Sequence, residues 1–79
     1  MDIGDLVRLR QPFSPEPNSE RTYSYGIIAG IVWSEDASPP SPPVEIVLYL
    51  YDLDTQRIYV DSAGLQAIYA FRPDELELV

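Results

Sequence analysis

Seventy-nine residues, 46% of them hydrophobic, suffice for a single small domain over 1–79 with little margin, since ordering the chain costs about 1.5 kcal/mol per residue. The absence of cysteine and histidine excludes disulfides, thiolate and imidazole metal sites, Cys nucleophiles and every His-based triad. Thirteen Asp and Glu against five arginines give a formal net charge of -8, which repels nucleic-acid phosphates and anionic lipid headgroups.

The amino-terminal stretch MDIGDLVRLR is acidic where a signal peptide needs basic residues, and no apolar run approaches the roughly 20 residues of a membrane span. The expectation is therefore a cytoplasmic protein with no membrane insertion. In GDLVRLR, Asp5, Val7 and Leu9 alternate with Leu6, Arg8 and Arg10, which predicts a first strand over residues 5–10 with one wetter face. QPFSPEPNSER, from Gln11 to Arg21, carries three prolines and reads as a long surface loop. YSYGIIAGIVW then places Tyr23, Tyr25, Ile27, Ala29, Ile31 and Trp33 on one face of a strand that coils at Gly26 and Gly30. Rings of Tyr25, Trp33 and Tyr69 are expected in the core or at its rim.

SEDASPPSPP, Ser34 to Pro43, holds two P-x-x-P spacings, Pro39 to Pro42 and Pro40 to Pro43. No basic residue flanks them to orient the peptide in an acidic groove, so the stretch reads as a stiff connector. It feeds VEIVLYLY, where Val44, Ile46, Leu48 and Leu50 oppose Glu45, Val47, Tyr49 and Tyr51. Apolar content on both faces predicts a central strand. DLDTQ is a turn and RIYV a short partner strand. DSAGL turns again, QAIYAFR gives a further strand, and PDELELV predicts one helical turn followed by a terminal strand.

Five or six short strands without a long helix predict an all-β chain folded as a small closed or nearly closed barrel, with a 3₁₀ turn before the last strand. GDLVRL, the long first loop, YGIIAGIV, VEIVLYL and YAFRPDELELV together resemble the bacterial SH3-like small barrels, including KOW-type domains. The closing AFRPDELELV is also similar to the end of the SH3-like subunit of the photosynthetic NAD(P)H dehydrogenase-like complex, a resemblance that implies ferredoxin docking. That docking needs positive charge, which Arg8, Arg10, Arg21 and Arg72 would have to supply from one patch. The A-L-Y-D-Y stretch of eukaryotic peptide-binding SH3 domains has its nearest counterpart in LYLYD, Leu48 to Asp52, at the middle of the barrel instead of the first loop.

Asp52, Asp54 and Asp61 surround two turns, and DLDTQ is similar to the start of a calcium loop. Arg57 stands where that loop needs glycine, and Ala63 where it needs glutamate, so no metal is assigned. Asp74, Glu75 and Glu77 are expected to cap the helical turn and face water. No cofactor and no catalytic residue is assigned, because a barrel of this size fills its interior with side chains. Tyr49, Tyr51 and Tyr59 remain, on strand faces opposite the most aliphatic residues, and they are the candidate partner-binding residues. The sequence thus points to a non-enzymatic interaction module or small accessory subunit. Its partner is another protein with a basic or neutral surface, or a second copy in self-association; a KOW-type nucleic-acid role is opposed by the charge.

Overall fold

The computed structural model describes residues 1–35 and 43–79. Both P-x-x-P spacings depend on prolines outside the described residues. The elements are β1 (Leu6–Phe13), β2 (Tyr23–Val32), β3 (Glu45–Asp52), β4 (Arg57–Ile58) and β5 (Ile68–Phe71), then a 3₁₀ turn (Pro73–Glu75) and β6 (Leu76–Leu78). All strand pairs are antiparallel, in one six-stranded sheet of order β4-β3-β2-β1-β6. β5 also pairs with β3, through Ile46↔Phe71 to Tyr49↔Ile68, on the side of β3 away from β2. Among the described residues, no helix is long and apolar enough to cross a membrane.

The all-β expectation holds, but the sheet does not close. β6 ends one side and β4 with β5 the other, and no pairing joins them among the described residues. The 3₁₀ turn spans from β5 to β6. At its start the Arg72 N–H donates to Glu75 Oε1 at 2.8 Å, and the Glu75 N–H donates to the Arg72 carbonyl at 3.0 Å. Phe13 of β1 lies against Tyr69 and Phe71 of β5, with ring centroids 5.0 and 5.4 Å apart, so rings connect two strands that share no ladder.

The core follows from the alternation of β1 and β3. Val7 and Leu9 of β1, Ile46, Leu48 and Leu50 of β3, and Leu76 of β6 point inward with Ile28, Tyr23 and Tyr59. Val7, Ile46, Leu48 and Leu50 have no measurable exposure. Such burial stabilises by about 1.5–3 kcal/mol per aliphatic side chain. The central position expected for β3 is also observed, since β2 lies on one side of it and β4 and β5 on the other.

Two local expectations are corrected. β1 continues through Gln11 and Pro12 to Phe13, which pairs with Tyr23, so the first loop starts later than the prolines suggest. Proline lacks a ladder donor, and here the register breaks between Arg8 and Phe13, where the strand tolerates Pro12. In β2 the bulky residues do not share the inner face. Gly26 and Ile28 point inward and Tyr25 and Ile27 outward, until the register shifts between Ile28 and Gly30. Ala29 is the extra residue of a bulge, and beyond it Ile31 turns toward the core. Gly26 sits so close to β3 that a Cβ there would meet Leu48 Cδ1 at 2.8 Å and the Tyr49 carbonyl oxygen at 3.0 Å. Trp33, just past β2, is 54% exposed and does not reach the core.

Candidate functional site

The register assembles a second face on the reverse of the core. One cross-strand row runs Glu77–Arg8–Tyr25–Tyr51–Ile58, and the next runs Leu6–Ile27–Tyr49–Ile68. Tyr25, Tyr49, Tyr51, Leu6 and Ile27 are half-buried, while Ile68 is 56% exposed. A sheet covered on one side alone carries polar residues on the other, so this composition departs from the ordinary alternation. The hydroxyls of Tyr25, Tyr49 and Tyr51 have no hydrogen-bond partner among the described residues. They add polar tips to an otherwise apolar surface.

Of the three candidate tyrosines, the structure brings Tyr49 and Tyr51 together and separates Tyr59 from them. Strand alternation decides it: Ile58 pairs with Tyr51 and shares its face, so Tyr59 turns inward. Tyr59 is buried, its ring centroid 5.5 Å from that of Tyr23, and its hydroxyl donates to Glu16 Oε1 at 2.9 Å. Burial, then this bond to the Glu16 carboxylate, pushes the Tyr59 phenol up to about 12. Tyr59 therefore ties the β1–β2 loop to the core and takes no part in the outer face. Tyr25 takes that place, although the sequence pattern assigns it to the core or rim.

Charged groups beside the face include Arg8, Arg10 and Glu77 at the β1–β6 side and Asp52 and Asp54 next to Tyr25 and Tyr51. Glu77 accepts from Arg8, with Nε at 3.1 Å from Oε2 and Nη2 also on Oε2, and from Arg10 Nη1 at 2.9 Å. The hydrogen bond between them and then the partner's opposite charge hold the Glu77 carboxyl below its ordinary value and raise the Arg8 guanidinium. Glu77 thus serves the β1–β6 pairing; it does not cap the 3₁₀ turn as expected. Arg21 pairs with Asp52 at 2.9 Å and stacks 5.3 Å over the Tyr23 ring, and Arg72 lies 3.7 Å from Asp74 and Glu75. Of the four arginines considered for an acidic partner, Arg8 and Arg10 share Glu77, Arg10 and Arg72 line one groove, and Arg21 is engaged elsewhere, by Asp52.

The aspartates of the two turns are taken up by backbone. Asp52 Oδ1 accepts from the Asp54 and Thr55 N–H groups at 2.9 and 3.4 Å. Burial pushes its carboxyl up, but these bonds and Arg21 outweigh it and hold the group below its ordinary value. Asp61 Oδ1 accepts from the Ala63 and Leu65 N–H groups at 2.9 and 3.0 Å. Both are turn-forming aspartates. Among the described residues, no cluster of three or more Asp or Glu is placed to hold a metal ion. Between the β1–β2 loop and the β3–β4 turn lies a groove of about 430 Å³, lined in part by Glu16, Arg21, Tyr23, Arg57 and Tyr59. Its Glu16 is engaged by Tyr59 and its Arg21 by Asp52.

No family model, curated protein or solved structure matches the chain.

Proposed function

We propose that the chain is a non-enzymatic protein-interaction module or small accessory subunit, built as a partly open SH3-like barrel, whose contact face is centred on Tyr25, Tyr49 and Tyr51. The strand order, with a 3₁₀ turn leading from β5 into β6 and β6 beside β1, supports the barrel reading. The observation that carries the function is the outer face itself. It presents three tyrosines, whose hydroxyls have no partner among the described residues, beside Leu6, Ile27 and Ile68, where a solvated sheet face would be polar. Tyrosine gives large contact area at low rotamer cost, which suits an interface. A chain at -8 disfavours nucleic acid as the partner.

Tyrosine nitration read by mass spectrometry tests this reading. In the protein within its native extract, Tyr49 and Tyr51 are expected to be shielded relative to the isolated protein at high dilution. Tyr49→Ala should restore reaction at Tyr51 while the circular dichroism spectrum stays unchanged. Equal reactivity of both tyrosines in the two settings would sink the contact-face reading.

A further inference from the structure

We infer that the β1–β2 loop, residues 14–22, is a strap that opens and closes as one body over the groove beside it, latched by two side-chain bonds, Tyr59 to Glu16 and Arg21 to Asp52. The ends of the loop are adjacent and anchored. Phe13 pairs with Tyr23 across the sheet, Tyr23 is buried with its ring against Tyr59, and Phe13 packs on Tyr69 and Phe71. Between these anchors the loop is bonded to itself. The Ser14 hydroxyl donates to the Glu16 carbonyl at 2.9 Å, the Ser19 N–H donates to the same carbonyl at 3.1 Å, and the Arg21 N–H donates to Ser19 Oγ at 3.1 Å. Pro15 and Pro17 stiffen it further. Compact surface loops with neighbouring ends, packed by their own side chains, frequently carry function.

What holds the loop down is slight by comparison. Among the described residues, no backbone hydrogen bond runs from 14–22 to the rest of the chain, and the bonds that leave it are Tyr59 Oη to Glu16 Oε1 and Arg21 Nη2 to Asp52 Oδ2, both 2.9 Å. The Arg21 guanidinium also lies 5.3 Å over the Tyr23 ring, at the anchor itself. Every residue of the loop except Pro15 and Ser19 is exposed, and a segment with so little burial lifts at low cost. The two latches cross the groove of about 430 Å³: Glu16 and Arg21 stand on the loop, while Asp52 ends β3 and Tyr59 follows β4 on the opposite wall. Closed, the strap sets these four polar groups against one another. Open, it turns a phenol, a guanidinium and two carboxylates toward whatever enters the groove. Because one body carries both Glu16 and Arg21, each latch favours the other.

Amide NMR of the full chain, beside Tyr59→Phe, Arg21→Gln and the double variant, tests the proposal. Each substitution removes a latch and spares its surroundings: a phenylalanine ring keeps the contact with Tyr23, and Asp52 Oδ1 still accepts from the Asp54 and Thr55 N–H groups. Each is read at the far end of the loop, Tyr59→Phe at Glu20 and Thr22, Arg21→Gln at Ser14 and Glu16. Chemical shifts report fast opening and relaxation dispersion reports opening in microseconds to milliseconds. The expected result is an open population raised about two- to fivefold by either single variant, equally at both ends. The shifts of the loop amides should fall on one line from the wild-type chain to the double variant. Arg72→Gln, which removes an exposed arginine outside the loop, should leave them unmoved. Changes confined to the altered end overturn the single-body strap, and loop amides that respond to neither substitution overturn the latches. An equal response to Arg72→Gln would trace the effect to overall charge and sink the proposal.

Discussion

β3 has two faces made from alternate residues of one strand, and they fare differently. Ile46, Leu48 and Leu50 are fully buried, while Val47, Tyr49 and Tyr51, each one residue away, are half-buried on the reverse. Both sets are apolar enough to form a core. What separates them is what each meets: the inner set packs with residues of β1 and β6 and with Tyr23 and Tyr59, and the outer set lies beside its cross-strand neighbours on β2, β4 and β5. Apolar content alone does not decide which face of a strand becomes the interior. Closure by the rest of the chain does, and here closure goes to the side carrying the close approach at Gly26.

The strongest way to sharpen this contrast is truncation on the two sides of the strand. Leu48→Ala should cost about 2–5 kcal/mol, much of the total stability of a domain this small, because the surrounding strands cannot collapse into the space. Tyr49→Ala should cost about 1–2 kcal/mol, set by half-burial and cross-strand pairing. Urea unfolding followed by circular dichroism measures both, and equal costs would remove the distinction between the faces.

Gly26→Ala probes the approach that fixes which side is inner. Its methyl group would strike Leu48 Cδ1 and the Tyr49 carbonyl, and because the second is backbone the strands must move apart. A loss of about 1–3 kcal/mol in the same unfolding experiment is expected. A neutral result would show that β2 and β3 are less tightly apposed.

The smallest effect at neutral pH comes from Tyr59, whose phenol is raised from the ordinary 10.0 to about 12. A raised value favours the protonated form in the fold. Its contribution is complete below pH 10 and is lost as pH climbs toward 12. Tyr59→Phe should leave stability near neutrality little changed, flatten its fall across that alkaline window and remove the latest phenol from an ultraviolet titration. A late phenol persisting in the variant would place the raised group elsewhere.

Much of this architecture was legible in the chain because β3, β5 and the first half of β1 keep strict alternation: Val7 and Leu9, Ile46 to Leu50, and Tyr69 and Phe71 all point as their spacing predicts. β2 defeats the same reasoning. A bulge at Ala29 changes the phase of the strand, so one alternating set cannot describe both of its halves, and the bulky residues mislead. The signal lay in Gly26, since a glycine among aliphatic residues marks the side where another backbone comes close. Tyr59 was misplaced for a different reason. Spacing placed Ile58 and Tyr59 on opposite sides of a short strand, but the registration of Ile58 with Tyr51, which fixes which side is inner, is a tertiary fact. Half of the candidate face could be read from β3; Tyr25 and Ile27, its other half, lay behind the bulge.

The lone tryptophan has a practical bearing on every such measurement. Trp33 stands in solvent past the end of β2, so its emission already reports a watery setting before the chain unfolds. Indole fluorescence is therefore a nearly blind witness to denaturation. The chirality of the paired Tyr23 and Tyr59 rings, read in the near-ultraviolet, is the optical signal tied to the packed state.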